Sequence, residues 1–418
     1  SKIATVTHNG ADNNDIDALI TATNDSGVDL DTVKTGGSLA GTGAIAITRT
    51  GTALAATGGN ITKVNTLAGQ TEGVLTLAFA AGAATAFDDL TTDNNDLITI
   101  ALTAGSVTAA ALTAIDAATG STVDAGLVSE VTHVGVSNTD FGTLDTATND
   151  TGVDLDKVLV GGNDGGTALG GNAAFAITRT GVDLAATTAN ITAINDLAAH
   201  TQGVTTLKIA AGSASKIKNL TTDNNDLITV SINDASVTAG DLNTIDSKTG
   251  TNVDATDVVT ITHAGQNATD IDALVDATKD LTGNGVDIDA TDINVTRTGT
   301  ALTPNTAVLT KLNTVAGKVG GKLTATIAAA NAAAAQKIAD DTANLAGTDD
   351  ITISLSGIQT AANINTIDSR TALLVNAGLV SKVTGTHTGI DALITATNDT
   401  GVDLDKVLVG GNDGGTAL

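Results

Sequence analysis

Apolar and polar positions alternate in short stretches along this chain, and each stretch gives way to a run with helical spacing. In "VTHVG" (Val131 to Gly135), "AITRTG" (Ala176 to Gly181), "VTTLKIAAG" (Val204 to Gly212) and "LITVSINDA" (Leu227 to Ala235), small polar residues separate branched apolar ones. That is the period-2 pattern of a half-buried strand. After such a stretch, "TAGDLNTIDSKTG" (Thr238 to Gly250) sets Leu242 and Ile245 on one helical face. Thr238 is placed to act as N-cap, Asp241 lies near the helix start, and Gly250 stops the run. "NITAINDLAAHTQG" (Asn190 to Gly203) repeats the design with Ile191, Ile194 and Leu197. Helices of two to three turns with so narrow an apolar stripe do not stand alone, so each must bury its stripe against a neighbour.

The neighbours are written into the sequence as repeats. "TATNDTGVDLDKVLVGGNDGGTAL" occupies Thr146 to Leu169 and recurs letter for letter at Thr395 to Leu418. "LTTDNNDLIT" begins at Leu90 and again at Leu220, and "AITRTG" at Ala46 and again at Ala176. The segments "DIDAL" (Asp15 to Leu19), "DFGTL" (Asp140 to Leu144), "DIDAL" (Asp270 to Leu274) and "GIDAL" (Gly389 to Leu393) mark four successive blocks. Self-similarity at a fixed period points to a repeat architecture. The expected fold is therefore an α/β solenoid of stacked strand–short helix–turn units of about 31 residues, four to a superrepeat of about 125 residues. The superrepeats are expected at 1–127, 128–257 and 258–379, with the start of a fourth, in a truncated array, at 380–418. "GGNDGGTALGG" has no counterpart in the third block, where "GVDIDATDINVTRTG" runs straight on, and reads as an optional surface loop.

Composition restricts what such a chain can bury. The 418 residues include no Cys, Met, Trp or Tyr, one Pro and four Phe, so any core rests on Ala, Val, Ile and Leu. The hydrophobic fraction of 41% and mean hydropathy of +0.19 separate it from chains too polar to collapse. The formal charge of −27 argues against nucleic acid or an anionic membrane as a partner. No apolar run approaches the ~20 residues of a membrane span. Lack of Cys fits an extracellular protein that does without disulfides.

Chemistry is sparse. Thr-[His/Arg]-x-Gly closes several strands, with His8, His133, His263 and His387 in one set and Arg49, Arg179 and Arg297 in the other. Stacked histidines four coils apart would stand about 19 Å from one another, too far to share an ion. The favoured reading is a strand end whose cation pairs with Asp on an adjacent coil. Of the acids only Glu72 and Glu130 are Glu, and Asp suits both turns and hard cations. "TDNNDL", "NDTGVDLD" and "GGNDGG" make Asp93, Asp96, Asp150, Asp154, Asp156 and Asp164 the candidate Ca²⁺ ligands, and no other cofactor is expected. Asn-x-Ser/Thr sequons, Asn60, Asn190 and Asn267 among them, are what an Asn- and Thr-rich chain generates by chance. No Cys nucleophile, Gly-x-Ser-x-Gly turn or phosphate-cradling loop is present, so no enzyme is expected.

The units "SVTAGDLNTIDSKTGTNVDATDVVTITHAG" (Ser236 to Gly265), "TAAALTAIDAATGSTVDA" (Thr108 to Ala125) and "QTAANINTIDSRTALLVNA" (Gln359 to Ala377) resemble the Thr/Ala/Asp/Asn-rich repeats of giant cell-surface proteins of cyanobacteria. The resemblance implies a secreted, very long repeat protein associated with surface layers, motility or extracellular fibres. The expected function is a structural, non-catalytic segment that builds an extracellular filament or coat by stacking and self-association, with other cell-surface components as further candidate partners. The alternative is a calcium-stiffened adhesin stalk or another binding solenoid.

Overall fold

The computed structural model describes residues 5–12, 15–23, 45–148, 153–154, 174–279, 285–288, 293–340, 349–373, 375–396 and 402–403. The chain divides into two compact units, Ser1–Lys208 with Asn225–Ile228, and Ile209–Asn224 with Thr229–Leu418.

In the first unit the strands Thr5–Gly10, Ala46–Gly51, Leu75–Ala78 and Leu97–Thr99 lie side by side in that order. A second row runs Gly105–Thr108, Val128–Gly135, Ala176–Gly181 and Thr205–Lys208. The short strands Val123–Asp124 and Val153–Asp154 pair apart from both rows. In the second unit a row of seven runs Ser236–Thr238, Thr260–Gly265, Asn294–Gly299, Leu323–Ala329, Asp350–Thr360, Val375–Thr384 and Val402–Asp403. There Val230 and Ser231 pair with Val253 and Asp254, and Val253–Ala255 pairs with Val286–Ile288. Every one of these pairings is parallel.

Helices follow many of the strands, and their local chemistry is as the sequence implies. Thr57, Thr108, Thr187, Thr238 and Thr360 cap helices beginning at the next residue, each hydroxyl accepting the N–H three residues on. In Ala239–Asp246, Leu242 and Ile245 are fully buried. That helix ends at Asp246, before Gly250, because Ser247 already takes the C-cap position. In Thr188–Ala199 the stripe Ile191, Ile194 and Leu197 is buried as expected. Truncating one of these leucines to Ala removes contacts the small surrounding residues cannot refill, at a cost of about 2–5 kcal/mol. Aromatic packing is confined to a few points, such as the edge-on pair Phe79 and Phe87 at 5.4 Å.

The expected α/β solenoid of uniform strand–short helix–turn units is not what the chain builds. The structure is a mixed α/β fold, with parallel strands divided among separate sheets and twelve α-helices among the described residues. Successive strands do not simply stack: Gly105–Thr108 pairs with Val128–Gly135, while Val123–Asp124 between them joins Val153–Asp154. The elements are unequal as well, with strands from two residues (Val123–Asp124) to eleven (Asp350–Thr360). Periodicity reports which face of a strand is buried and is silent on which strand lies beside it.

Candidate functional site

The strand-end cations form one arrangement built three times. Parallel pairing sets His8 opposite Arg49, His133 opposite Arg179, and His263 opposite Arg297. Alternation puts each Arg on the same face as the apolar residue two positions before it, so the guanidinium is carried inward. The three arginines are only 2–4% exposed.

Each guanidinium is held by three backbone carbonyls. Arg179 donates from Nε to Asp140 (3.1 Å), from Nη1 to Val182 (2.7 Å) and from Nη2 to Ser137 (2.8 Å). Arg297 donates in the same order to Asp270 (2.7 Å), Thr300 (2.7 Å) and Asn267 (3.0 Å). Arg49 donates to Asp15 (2.9 Å), Thr52 (2.5 Å) and Asp12 (2.8 Å). Two glycines make room for this. Gly135, like Gly10 and Gly265, lies against the guanidinium, where a Cβ would collide with Nη2 and Cζ. Gly181, with φ near +87°, turns the chain so that the Val182 N–H returns to the Gly135 carbonyl at 3.0 Å. Burial lowers the pKa of each arginine, with the facing Asp charge holding it up, and a guanidinium stays protonated throughout.

Histidine occupies the half-buried outer layer. His133 Nε2 lies 3.2 Å from Asp140 Oδ2 and His263 Nε2 lies 3.2 Å from Asp270 Oδ1, while His8 approaches Asp15 at 3.4 Å. The partner is the Asp seven residues on in the same segment. Asp140 also accepts the Val136 N–H at 3.1 Å, and Asp270 the Gln266 N–H at 2.8 Å. This backbone donor first, then the His side chain and the Arg charge, hold the carboxylates of Asp140 and Asp270 below the usual value against a desolvation that pushes them up. Asp15 is lowered likewise, with the Ala11 N–H as the largest cause. His387 stands apart from this set. It opens the helix His387–Ala396, and Gly385 takes the place that His133 holds in its strand.

The Ca²⁺ candidates are distributed differently. Asp150, Asp156 and Asp164 lie outside the described residues, and of Asp154 only the backbone is described, paired with Asp124. Asp93 and Asp96 do come together, in the turn before Leu97–Thr99. Asp96 Oδ1 accepts the Leu75 N–H of the neighbouring strand at 2.8 Å, and Asp93 Oδ1 accepts the Asn95 N–H at 2.8 Å. Asp226 and Asp349 repeat the cross-strand role, accepting from Thr205 (2.7 Å) and Leu323 (3.1 Å). Burial raises the pKa of Asp96, with Asp93 adding to it and the two N–H donors opposing. Asp93 and Asp96 line a polar hollow of about 260 Å³ with Asn65, Glu72 and Asn95. Among the described residues no three His, Asp or Glu side chains gather as metal ligands would.

Two further sets escaped the sequence reading. Asp116, Asp246 and Asp368 each stand in a helix's last turn, and burial raises the pKa of all three. Recurrence of "TAID", "NTID" and "NTID" was the signal available. His200 accepts or donates to Thr148 Oγ1 through Nδ1 at 3.0 Å, where the first block has Gln70 bonded to Thr23 Oγ1 at 2.6 Å. Desolvation lowers the pKa of His200, opposed by Asp145 and Asp196. The sequons Asn60 and Asn190 are buried and spend their amides on backbone carbonyls.

No protein-family model, no curated protein and no solved structure matches this chain. Among the described residues no helix is long and apolar enough to cross a membrane.

Proposed function

We infer that this chain is a structural, non-catalytic segment of a secreted repeat protein, one that builds an extracellular filament or cell-surface coat by self-association. One observation carries the reading: the strongest polar constellation, the carbonyl-bound arginine beside a His–Asp pair, is built three times at equivalent places and directed inward. A site evolved for a substrate is expected once, with donors left free for the ligand. A thrice-repeated site whose guanidinium is committed to its own backbone supports the framework instead. The acidic surface and the resemblance of the repeats to those of giant cyanobacterial surface proteins agree with this reading.

Electron microscopy of the purified chain, with and without a calcium chelator, tests it. Filaments or sheets that survive chelation are the expected result. Isolated particles at every concentration would refute self-association, and assemblies that dissolve on chelation would replace it with the calcium-stiffened adhesin.

A further inference from the structure

Sequons stand among the described residues at Asn60, Asn190, Asn219, Asn267 and Asn294, and the fold treats them unequally. Asn60 and Asn190 are 3% and 4% exposed and spend their amides on backbone carbonyls. Asn219 gives its Nδ2 to the carbonyls of Ser215 (3.0 Å) and Lys216 (3.2 Å). Asn294 is half-buried within its strand, with Oδ1 taken by the Lys322 N–H at 2.9 Å. Asn267 is exposed, and its Nδ2 bonds nothing among the described residues. Of the five it is the one whose acceptor nitrogen is both outside and unspent.

The loop that carries Asn267 is pinned through its main chain. Arg297 Nη2 donates to the Asn267 carbonyl at 3.0 Å, the Thr303 N–H donates to the Ala268 carbonyl at 2.9 Å, and the Gln266 N–H reaches the Asp270 carboxylate at 2.8 Å. The Asn267 side chain takes no part in this. It is set by Thr269, whose N–H and hydroxyl both donate to Oδ1, each at 2.9 Å. Such a turn closes on the carboxamide oxygen and leaves the nitrogen to solvent. Asp12 and Ser137 hold the same place beside Arg49 and Arg179, again through their carbonyls. The arginine seat therefore needs only a backbone carbonyl here, and it does not account for a carboxamide two residues before a threonine.

We propose that Asn267 is a glycosylation site, its Nδ2 accepting a sugar from a glycosyl diphosphate donor through a transferase that reads Asn-x-Thr. The bond from the sugar C1 to the diphosphate oxygen breaks, and its electron pair leaves on the diphosphate. The Nδ2–C1 bond forms, and one Nδ2 proton passes to a base of the transferase. An amide nitrogen is a poor nucleophile because its lone pair is shared with the carbonyl. Removing the proton places negative charge on Oδ1, where the two Thr269 donors stabilise it as donors do at any developing oxyanion. An exposed loop also admits the transferase, which the buried Asn60 and Asn190 do not. The assignment is independent of self-association.

Glycopeptide mass spectrometry of the protein from the cells that produce it is the first test. A sugar on Asn267, with Asn60 and Asn190 bare, is expected. A single hexose there identifies a nucleotide sugar as the donor, and a preassembled oligosaccharide identifies a lipid-linked one. A bare Asn267 overturns the proposal. The folded chain incubated with a soluble Asn-glycosyltransferase and UDP-glucose gives a second readout. Native chain and Thr269→Ser should gain a hexose at Asn267, Asn267→Gln should gain none there, and Thr269→Val should slow by about 100-fold. These variants leave the Arg297 bond to the Asn267 carbonyl in place, so folding is retained. Thr269→Val modified at the native rate overturns the activation assigned to Thr269. A folded chain bare at Asn267, while a free peptide with the same Asn-Ala-Thr is modified, overturns the site.

Discussion

Two sets of aspartates, each repeated block by block, answer burial in opposite ways. Asp15, Asp140 and Asp270 sit at the strand ends beside an N–H donor, a histidine and a buried arginine, and their pKa values fall. Asp116, Asp246 and Asp368 sit in the last turn of a helix, where the dipole is negative, and desolvation raises theirs. Asp246 Oδ1 is buried with no hydrogen-bond partner. The same side chain thus serves as scaffold at one end of a segment and as a liability at the other. Donors and cations decide which, together with the deeper burial of the helix-end set, since burial alone pushes every carboxylate up.

The largest expected effect comes from breaking the strand-end arrangement at its centre. Arg179→Met keeps the aliphatic bulk and orphans the carbonyls of Ser137, Asp140 and Val182. Unpaired buried acceptors cost about 1–3 kcal/mol each before relaxation, so a net loss on the order of 3 kcal/mol is expected in chemical denaturation. Gly135→Ala should come close to it by forcing the guanidinium out of its seat. If either variant unfolds within about 0.5 kcal/mol of the native chain, the arginine is not the keystone assigned to it.

The pH dependence of stability separates the two aspartate sets. A raised folded pKa means the native state binds more protons between the unfolded value and the folded one, so the helix-end set gains stability as pH falls through its folded pKa values. A lowered folded pKa works the other way: the stability from the strand-end set is complete above the unfolded value, near 3.8, and is lost as pH falls through the folded values. Acid titration should therefore show a shallow rise and then a steeper fall. In the triple variant Asp116→Asn, Asp246→Asn, Asp368→Asn the rise should shrink to the part that Asp96, whose pKa burial also raises, still supplies, and the fall remain, with neutral-pH stability raised slightly, on the order of 0.5 kcal/mol per site. A triple variant that keeps the whole rise would remove these residues as its source.

The smallest effect concerns His200, whose lowered pKa keeps it neutral in the fold. Its stabilising contribution is complete above its unfolded value, near 6.5, and declines as pH falls through the folded one. His200→Gln, which installs the residue found at Gln70, should flatten the fall of stability as pH drops below about 6.5 and leave it unchanged at pH 8. Thermal melts from pH 8 downward check this, and an unaltered slope would shift the assignment to another group.

Much of this was legible in the letters. Thr238 with Asp241, and the stripes of Leu242 with Ile245 and Ile191 with Ile194, follow from spacing alone, because a helix's cap and buried face are local properties. The strand-end cations were visible as Thr-[His/Arg]-x-Gly, but the expected pairing with Asp on an adjacent coil was not what forms, since each His meets the Asp seven residues on in its own segment. Their division of labour was not visible: Arg bonds main-chain carbonyls of Asp140 and its neighbours, while His takes the carboxylate. Asp93 and Asp96 looked alike to a metal and to a turn, since oxygen-rich turns serve both, and only placement beside the Leu75 N–H tells how Asp96 is engaged. The uniform solenoid failed because equal spacing in sequence does not oblige strands to share a sheet.

The sequence by itself determined the elements, their repetition, the small-residue core and the charge, all of which depend on a few neighbouring letters and their period. Tertiary structure decided which strands lie side by side, which glycine lies under which arginine, and which aspartate gains donors or only loses water. Those outcomes join residues such as Asp140 and Arg179, 39 positions apart, and the energy of a buried polar group is fixed by what stands against it in space.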